Sequence, residues 1–184
     1  MAHLSKIKHS SGDWQKIKSH AVAVGIYDDL KISRQFQGVN REMGRGLSNM
    51  LAANLIKGKS GEVKTVVGKK GAIAFIFGLG NRGDLNAETL RKAGGGVSKA
   101  CNANKINSVS FLVPVDAKDD YMSQATAEGL MLGSYQFNEF KTTDKDPFEM
   151  KDATIVGGNK QAVAKGGIIA NGVCLARDVE NRPG

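Results

Sequence analysis

Cysteine is almost missing from this chain: two in 184 residues, Cys101 and Cys174, far apart and in no metal-ligand spacing. That excludes a disulfide framework and fits a reducing, cytoplasmic setting. No apolar run approaches the roughly 20 residues of a membrane-spanning helix. The lysine-bearing N-terminus also lacks the continuous apolar segment of a secretory signal, so no membrane association is expected. Histidine is scarce as well. His3, His9 and His20 make no helical i, i+4 pair and have no cysteine or carboxylate cluster around them, so no zinc site emerges. The serines lack a visible base partner. Asp28-Asp29 and Asp119-Asp120 are adjacent pairs whose side chains diverge, which suits turns and helix starts better than paired acid–base work. No internal repeat or low-complexity tract is present. On these grounds the chain itself is expected to carry no catalytic, cofactor-binding or metal-binding residues.

What is present is a foldable domain. The chain is 41% hydrophobic, enough to bury a core without staples, and its length suits one domain. AVAVGIY (21–27) and GAIAFIFGL (71–79) read as buried strands, EVKTVV (62–67) alternates as a strand should, and SVSFLVPV (108–115) and ATIVG (153–157) complete the set. Helical character runs through 32–56, from Asn86 as a cap, from about Asp119 and from Asn159 onward. Short buried strands alternating with helices predict an α/β domain with a largely parallel sheet.

The charge is unevenly spread. Residues 1–70 hold 13 Lys and Arg against 5 Asp and Glu, whereas residues 71–184 hold 13 of each, so the whole net charge of +8 lies in the first 70. A solvated basic face would account for this, and so would an anionic partner such as DNA. On the second reading the candidate phosphate contacts are Lys16, Lys18, Arg41, Arg45, Lys57, Lys59, Lys69 and Lys70. Few aromatics accompany them (Trp14, Tyr27 and Phe36), which favours phosphate contact over base stacking.

Two glycine motifs invite interpretation. Gly78-Leu79-Gly80-Asn81-Arg82-Gly83 matches G-x-G-x-x-G between a strand and a helix, the setting of a dinucleotide fingerprint. The helix begins only near Asn86, however, and Ala100-Cys101-Asn102-Ala103 stands where an acidic ribose partner belongs. A plain strand-to-helix turn fits better, with a nucleotide pocket as the alternative. Gly94-Gly95-Gly96 lies inside a predicted helix, where each glycine costs about 0.8–1 kcal/mol against alanine. Close packing of that helix on the sheet would repay the cost.

Glu128-Gly129-Leu130-Met131-Leu132-Gly133-Ser134-Tyr135-Gln136-Phe137, followed by Phe140-Lys141, resembles the E-G-x-x-L-G-x-Y-x-F-x-x-[YF]-K stretch of the leucyl (cytosol) aminopeptidases. Leu175-Ala176-Arg177-Asp178-Val179-Glu180-Asn181-Arg182-Pro183-Gly184 is similar to that family's L-A-R-D-L-V-N-x-P-x, with Val179-Glu180 in place of Leu-Val and Cys174 where many members have Asn. FGLGNRGDLNAETLRKAGGG (77–96) resembles its V-G-L-G…L-x-x-E-x-x-R-K-A segment, and AVAVGIYDD fits the start of its N-terminal domain. The similarity runs through nearly the whole chain in order. Val67-Gly68-Lys69-Lys70-Gly71 lies too early to be the family's metal-lysine motif and reads as coincidence.

The resemblance implies a three-layer, macro-domain-like α/β fold with a mixed, largely parallel sheet flanked by helices. Residues 1–170 would form the N-terminal domain, and 171–184 would begin the connector to a C-terminal catalytic domain that this sequence does not include. It further implies a cytoplasmic, homo-hexameric parent hydrolase that removes N-terminal residues, preferably leucine, with two divalent metals (manganese or zinc) held by the catalytic domain. This chain would then be a non-catalytic part supporting hexamer assembly, with DNA binding through the basic first 70 residues as the alternative.

Overall fold

The run AVAVGI becomes β2 (Ala21–Ile26), and its position explains why both of its faces are apolar. Ala21 and Ala23 enter one core, while Val22, Val24 and Ile26 enter a second core on the other side of the sheet. Around β2 lie β1 (Ile7–Ser10), β3 (Val63–Val67), β4 (Ile73–Gly78), β5 (Ser108–Leu112) and β6 (Asp152–Val156), in the order β1-β6-β5-β2-β4-β3. All neighbours pair parallel except β3, which runs antiparallel to β4. This computed structural model describes residues 4, 6–139 and 148–182, with Lys70 described by its backbone alone.

Helices cover both faces of the sheet. α1 (Arg34–Glu42) and α2 (Gly46–Ala52) close the core that holds Phe36, Val39 and Leu47. α3 (Ala87–Ala103), α4 (Asp120–Ser134) and α5 (Lys160–Glu180) close the larger core, where Phe77 and Phe111 stack with ring centroids 4.5 Å apart. The architecture is the three-layer α/β arrangement with a mixed sheet that the sequence implies. Among the described residues no helix is long and apolar enough to cross a membrane.

The expected caps are in place. Asn86 Oδ1 accepts from the Thr89 amide at 3.0 Å, Asp119 Oδ1 from Tyr121 at 2.8 Å, and Asn159 Oδ1 from Gln161 at 2.8 Å. Each satisfies an amide that the first helical turn leaves without a partner. Two features depart from the sequence reading. β1 is an unforeseen strand, only four residues long and hydrogen-bonded to β6 alone. The helical stretch 32–56 breaks between α1 and α2, where Gly44 and Arg45 take left-handed φ of 58° and 69°. The strand read at 62–67 and the helix starts at Asn86, Asp119 and Asn159 agree with the sequence reading to within a residue.

The glycines of α3 are explained by a different neighbour than the sheet. A Cβ on Gly94 would come within 2.9 Å of the Thr126 carbonyl oxygen on α4, and only Gly96 faces a strand, with Val63 of β3 at 2.7 Å. α4 reciprocates. A Cβ on Gly133 would stand 2.5 Å from Gly95 Cα, and one on Gly129 would drive into the Arg91 carbonyl oxygen. The two helices therefore pack backbone to backbone. Gly129→Ala is expected to lower stability by at least about 2 kcal/mol, because both surfaces that would have to move are main chain. Gly172→Ala, at a helical glycine of α5 with open space around it, should raise stability by roughly 0.5–1 kcal/mol. Urea denaturation of the two variants checks the opposite signs.

Candidate functional site

Three stretches that stand out in the sequence converge where α3, α4 and α5 meet. Arg91 of α3 donates through Nε and Nη2 to Glu128 Oε2 of α4 at 3.0 and 2.8 Å, and Gln124 Nε2 donates to Glu128 Oε1 at 2.7 Å. Glu128 is buried, so both its oxygens are held by donors within the fold. Burial works against the Arg91 cation, but its hydrogen bonds to Glu128, Glu88 and Tyr121 outweigh that and hold the guanidinium above its ordinary range. Nearly two turns on, Ser134 Oγ accepts from the Leu4 amide at 2.9 Å. Tyr135 then donates from its hydroxyl to buried Asp178 of α5 at 3.0 Å, and Arg177 stands 5.5 Å over the Tyr135 ring. These residues therefore join helices. Phe140, Lys141, Pro183 and Gly184 lie outside the described residues.

The glycine-rich turn after β4 is built for packing as well. The amides of Gly78, Leu79 and Gly80 donate to the carbonyls of Glu62, Ile26 and Gly58 at 2.8, 2.9 and 2.7 Å, so none is left to face a pyrophosphate. A Cβ on Gly78 would collide with the Lys59 carbonyl oxygen. The structure thus supports the plain strand-to-helix turn over a dinucleotide fingerprint.

Beside that turn, at the carboxyl ends of β2, β4 and β5, stands a cluster that sequence reading missed. Arg82 lies 3.9 Å over the Tyr27 ring, pairs with Asp116 and approaches Asp29 Oδ2 at 3.7 Å, while Tyr27 donates to Asp116 Oδ2 at 3.3 Å. This is the crevice where open α/β sheets usually bind ligands. Here it holds a paired cluster of the protein's own charges. Burial of Tyr27, then the charge and hydrogen bond of Asp116, push its phenol up to about 12. No spacing rule links Tyr27, Arg82 and Asp116, which come from three separate strand ends.

The candidate cations divide by position. Arg41, Arg45 and Lys69 line one depression of about 470 Å³ at the C-terminal end of α1, with Gln37, Asn40 and Gly44. Lys16 and Lys18 are exposed on the segment alongside, which Gln15 ties to α1 by donating to Glu42 Oε1 at 2.7 Å. Lys57 and Lys59 are at the other end of the sheet, because Gly58 between them packs on the Tyr27 carbonyl. The side chain of Lys70 lies outside the described residues. Ion pairs among the described residues use other cations: Lys8, Lys31, Arg82, Arg91 and Arg182. His9 and His20 hydrogen-bond to Gly158 and Ser108, and no group of three or more His, Cys, Asp or Glu among the described residues is placed to hold a metal ion.

Residues 23–144 match the cytosol aminopeptidase family, N-terminal domain. A probable cytosol aminopeptidase of Aquifex aeolicus is 29% identical over 186 residues, which cover 97% of this chain and 37% of the relative. One of Geotalea uraniireducens is 30% identical over 176 residues, 89% of this chain and 35% of the relative. This chain thus spans well under half the length of these relatives. Among solved structures, a tomato leucine aminopeptidase mutant superposes with a TM-score of 0.80 at 18% identity, over 97% of this chain and 39% of that one. The bottromycin maturation enzyme BotP gives 0.68 at 22% identity, over 90% and 33%. At those identities the structural likeness speaks for the fold.

The Tyr27 cluster makes a prediction in alkali. An unfolded tyrosine ionises near 10 and the folded Tyr27 near 12, so the unfolded state loses its proton first and stability falls as pH rises between those values. Asp116→Asn removes the facing charge and should bring the Tyr27 phenolate down toward 10. Ultraviolet titration of phenolate absorbance, with Tyr27→Phe to identify the step, measures the shift.

Proposed function

Because this chain belongs to the cytosol aminopeptidase family through its N-terminal domain, we propose that it is the non-catalytic domain of a two-metal leucyl aminopeptidase and supports assembly of the parent enzyme. The parent would be cytoplasmic, would remove N-terminal residues, leucine by preference, and would form a hexamer. Its manganese or zinc ions would be held outside this chain. The described residues do not fit such a centre, since they bring together no group of three or more His, Cys, Asp or Glu that could hold a metal ion.

The observation that carries the assembly role is the outer side of α5. Val163, Gly166, Ala170, Cys174 and Asp178 form its buried stripe. About a third of a turn round the helix from that stripe, Ile168, Leu175 and Val179 are 74, 57 and 65% exposed. A helix with an exposed apolar ridge beside its buried stripe suits packing between two bodies. α5 runs through residue 170 without a break to Glu180, so on this reading the whole helix is part domain and part connector to the catalytic domain. The test is enzymatic. The purified chain should not hydrolyse a leucine amide with Mn²⁺ or Zn²⁺, and turnover that persists through repurification would overturn the proposal.

A second reading rests on a separate observation, the convergence of Arg41, Arg45 and Lys69 in one depression with Lys16 and Lys18 beside it. This surface would serve DNA phosphates. Lys57 and Lys59 lie on another surface and are expected to contribute little. Reversing Arg41, Arg45 and Lys69 to Glu should weaken duplex DNA binding at least about 10-fold. It should also reduce the slope of log affinity against log salt by about 3, whereas reversing Lys57 and Lys59 should leave the slope unchanged.

A further inference from the structure

The crevice at the carboxyl ends of β2, β4 and β5 holds the paired charges of Arg82 and Asp116 beside Tyr27. At the opposite end of the sheet two depressions flank the last turn of α1. The cationic one holds Arg41, Arg45 and Lys69. Its neighbour, of about 360 Å³, is lined by Trp14, Gln15, Ser19, His20, Glu42 and the apolar start of β4. The two share one stretch of chain, since Arg41 and Gly44 line the first while Glu42 and Met43 line the second.

Several side chains around the second depression are tethered by hydrogen bonds or packing. Trp14, the only tryptophan in the chain, is half-buried and lies on α1 at Gly38, where an added Cβ would sit 3.8 Å from the indole Nε1. His20 is held by Ser108 Oγ, which is 2.8 Å from its Nδ1 and accepts from its backbone amide at 2.9 Å. Glu42 Oε1 is tied to Gln15. Of the three aromatics in the basic first 70 residues, Phe36 and Tyr27 are buried in the fold and Trp14 lines this depression.

A site for simple anions would not set a carboxylate and an indole beside three cations. A flat heterocycle with N–H donors, attached to phosphates, matches all of these at once. We propose that the paired depressions bind single-stranded nucleic acid: one unpaired base enters the Trp14 pocket and stacks on the indole, Glu42 accepts from an exocyclic amino group, and the flanking phosphates rest on Arg41, Arg45 and Lys69. A base in a duplex is stacked on both faces and paired along its edge, so it is excluded from such a pocket. The proposal builds on the nucleic-acid reading above and replaces the expectation that phosphate contact would act without stacking.

The sole tryptophan gives a direct readout on the unaltered chain. A short single-stranded oligonucleotide of mixed sequence, in DNA and RNA forms, is titrated alongside its own duplex. Trp14 emission and the anisotropy of a labelled strand are followed together. Single strands should quench Trp14 and bind more tightly than duplex, and ribose 5-phosphate should not quench. Trp14→Ala should weaken single-strand binding about 5- to 100-fold and leave duplex binding within about 2-fold, while Trp14→Phe, which keeps a ring on α1, should retain most of the affinity. Duplex and single strand binding equally, without quenching, would overturn the base pocket and leave the phosphate surface standing. Absence of binding by either at low salt would overturn both.

Discussion

The contact on which the α3–α5 layer depends is the meeting of the α3 and α4 backbones. Gly129 rests on the carbonyl of Arg91, Gly133 on Gly95, and Gly94 between Thr126 and Leu130. No side chain separates the helices along this line, so their spacing is fixed by main-chain atoms that cannot yield. Arg91 is used twice. Its carbonyl receives Gly129 while its guanidinium crosses to the neighbouring Glu128. The joint thus places a charge-assisted pair beside the tightest backbone approach and fixes the rotation of α4 as well as its distance. α5 follows in the same manner, with Gly166 set against the Gln124 carbonyl and Tyr135 reaching Asp178.

That joint explains why the motifs that carry the resemblance mark the fold: the residues in them pack helices together. Glu128, Gly129, Gly133, Tyr135 and Asp178 look like the members of an active site when read as letters, because charged and glycine residues at fixed spacing so often are. In space they hold three helices together. The stretch around Arg91 belongs to the same contact. A glycine triplet is a poor helix segment by propensity, and what offsets its cost comes from a partner helix about thirty residues further along. Local reasoning assigned that role to the sheet, and only Gly96 has it.

Elsewhere, legibility followed how local the cause was. The central strands were readable from continuous apolar runs because β2 and β4 are covered on both faces. Helix starts were readable because the caps act within three residues. β1 was not readable. Its four residues alternate weakly, and it exists through pairing with β6, which lies more than 140 residues away in the chain. The charge bias was plain in the composition, but its division was not. Lys57 and Lys69 are twelve residues apart and lie at opposite ends of the sheet, because β3 carries the chain from one end to the other. The Tyr27, Arg82 and Asp116 cluster escaped for a related reason, since only the parallel pairing of β2, β4 and β5 brings their ends together.

The two helical layers are consequently built to different ends. The α3–α5 layer spends its distinctive residues on internal joints and presents an apolar stripe on α5 to the outside. The α1–α2 layer packs more simply and carries the converging cations, with Trp14 and Glu42 next to them. The sheet separates these surfaces, so a body docked on α5 would leave the α1 end open. Nucleic-acid binding at α1 and assembly through α5 are therefore compatible within one domain. The same separation argues against direct coupling between them, because a signal from the α1 end would have to cross a sheet whose core is closely packed around Phe77 and Phe111.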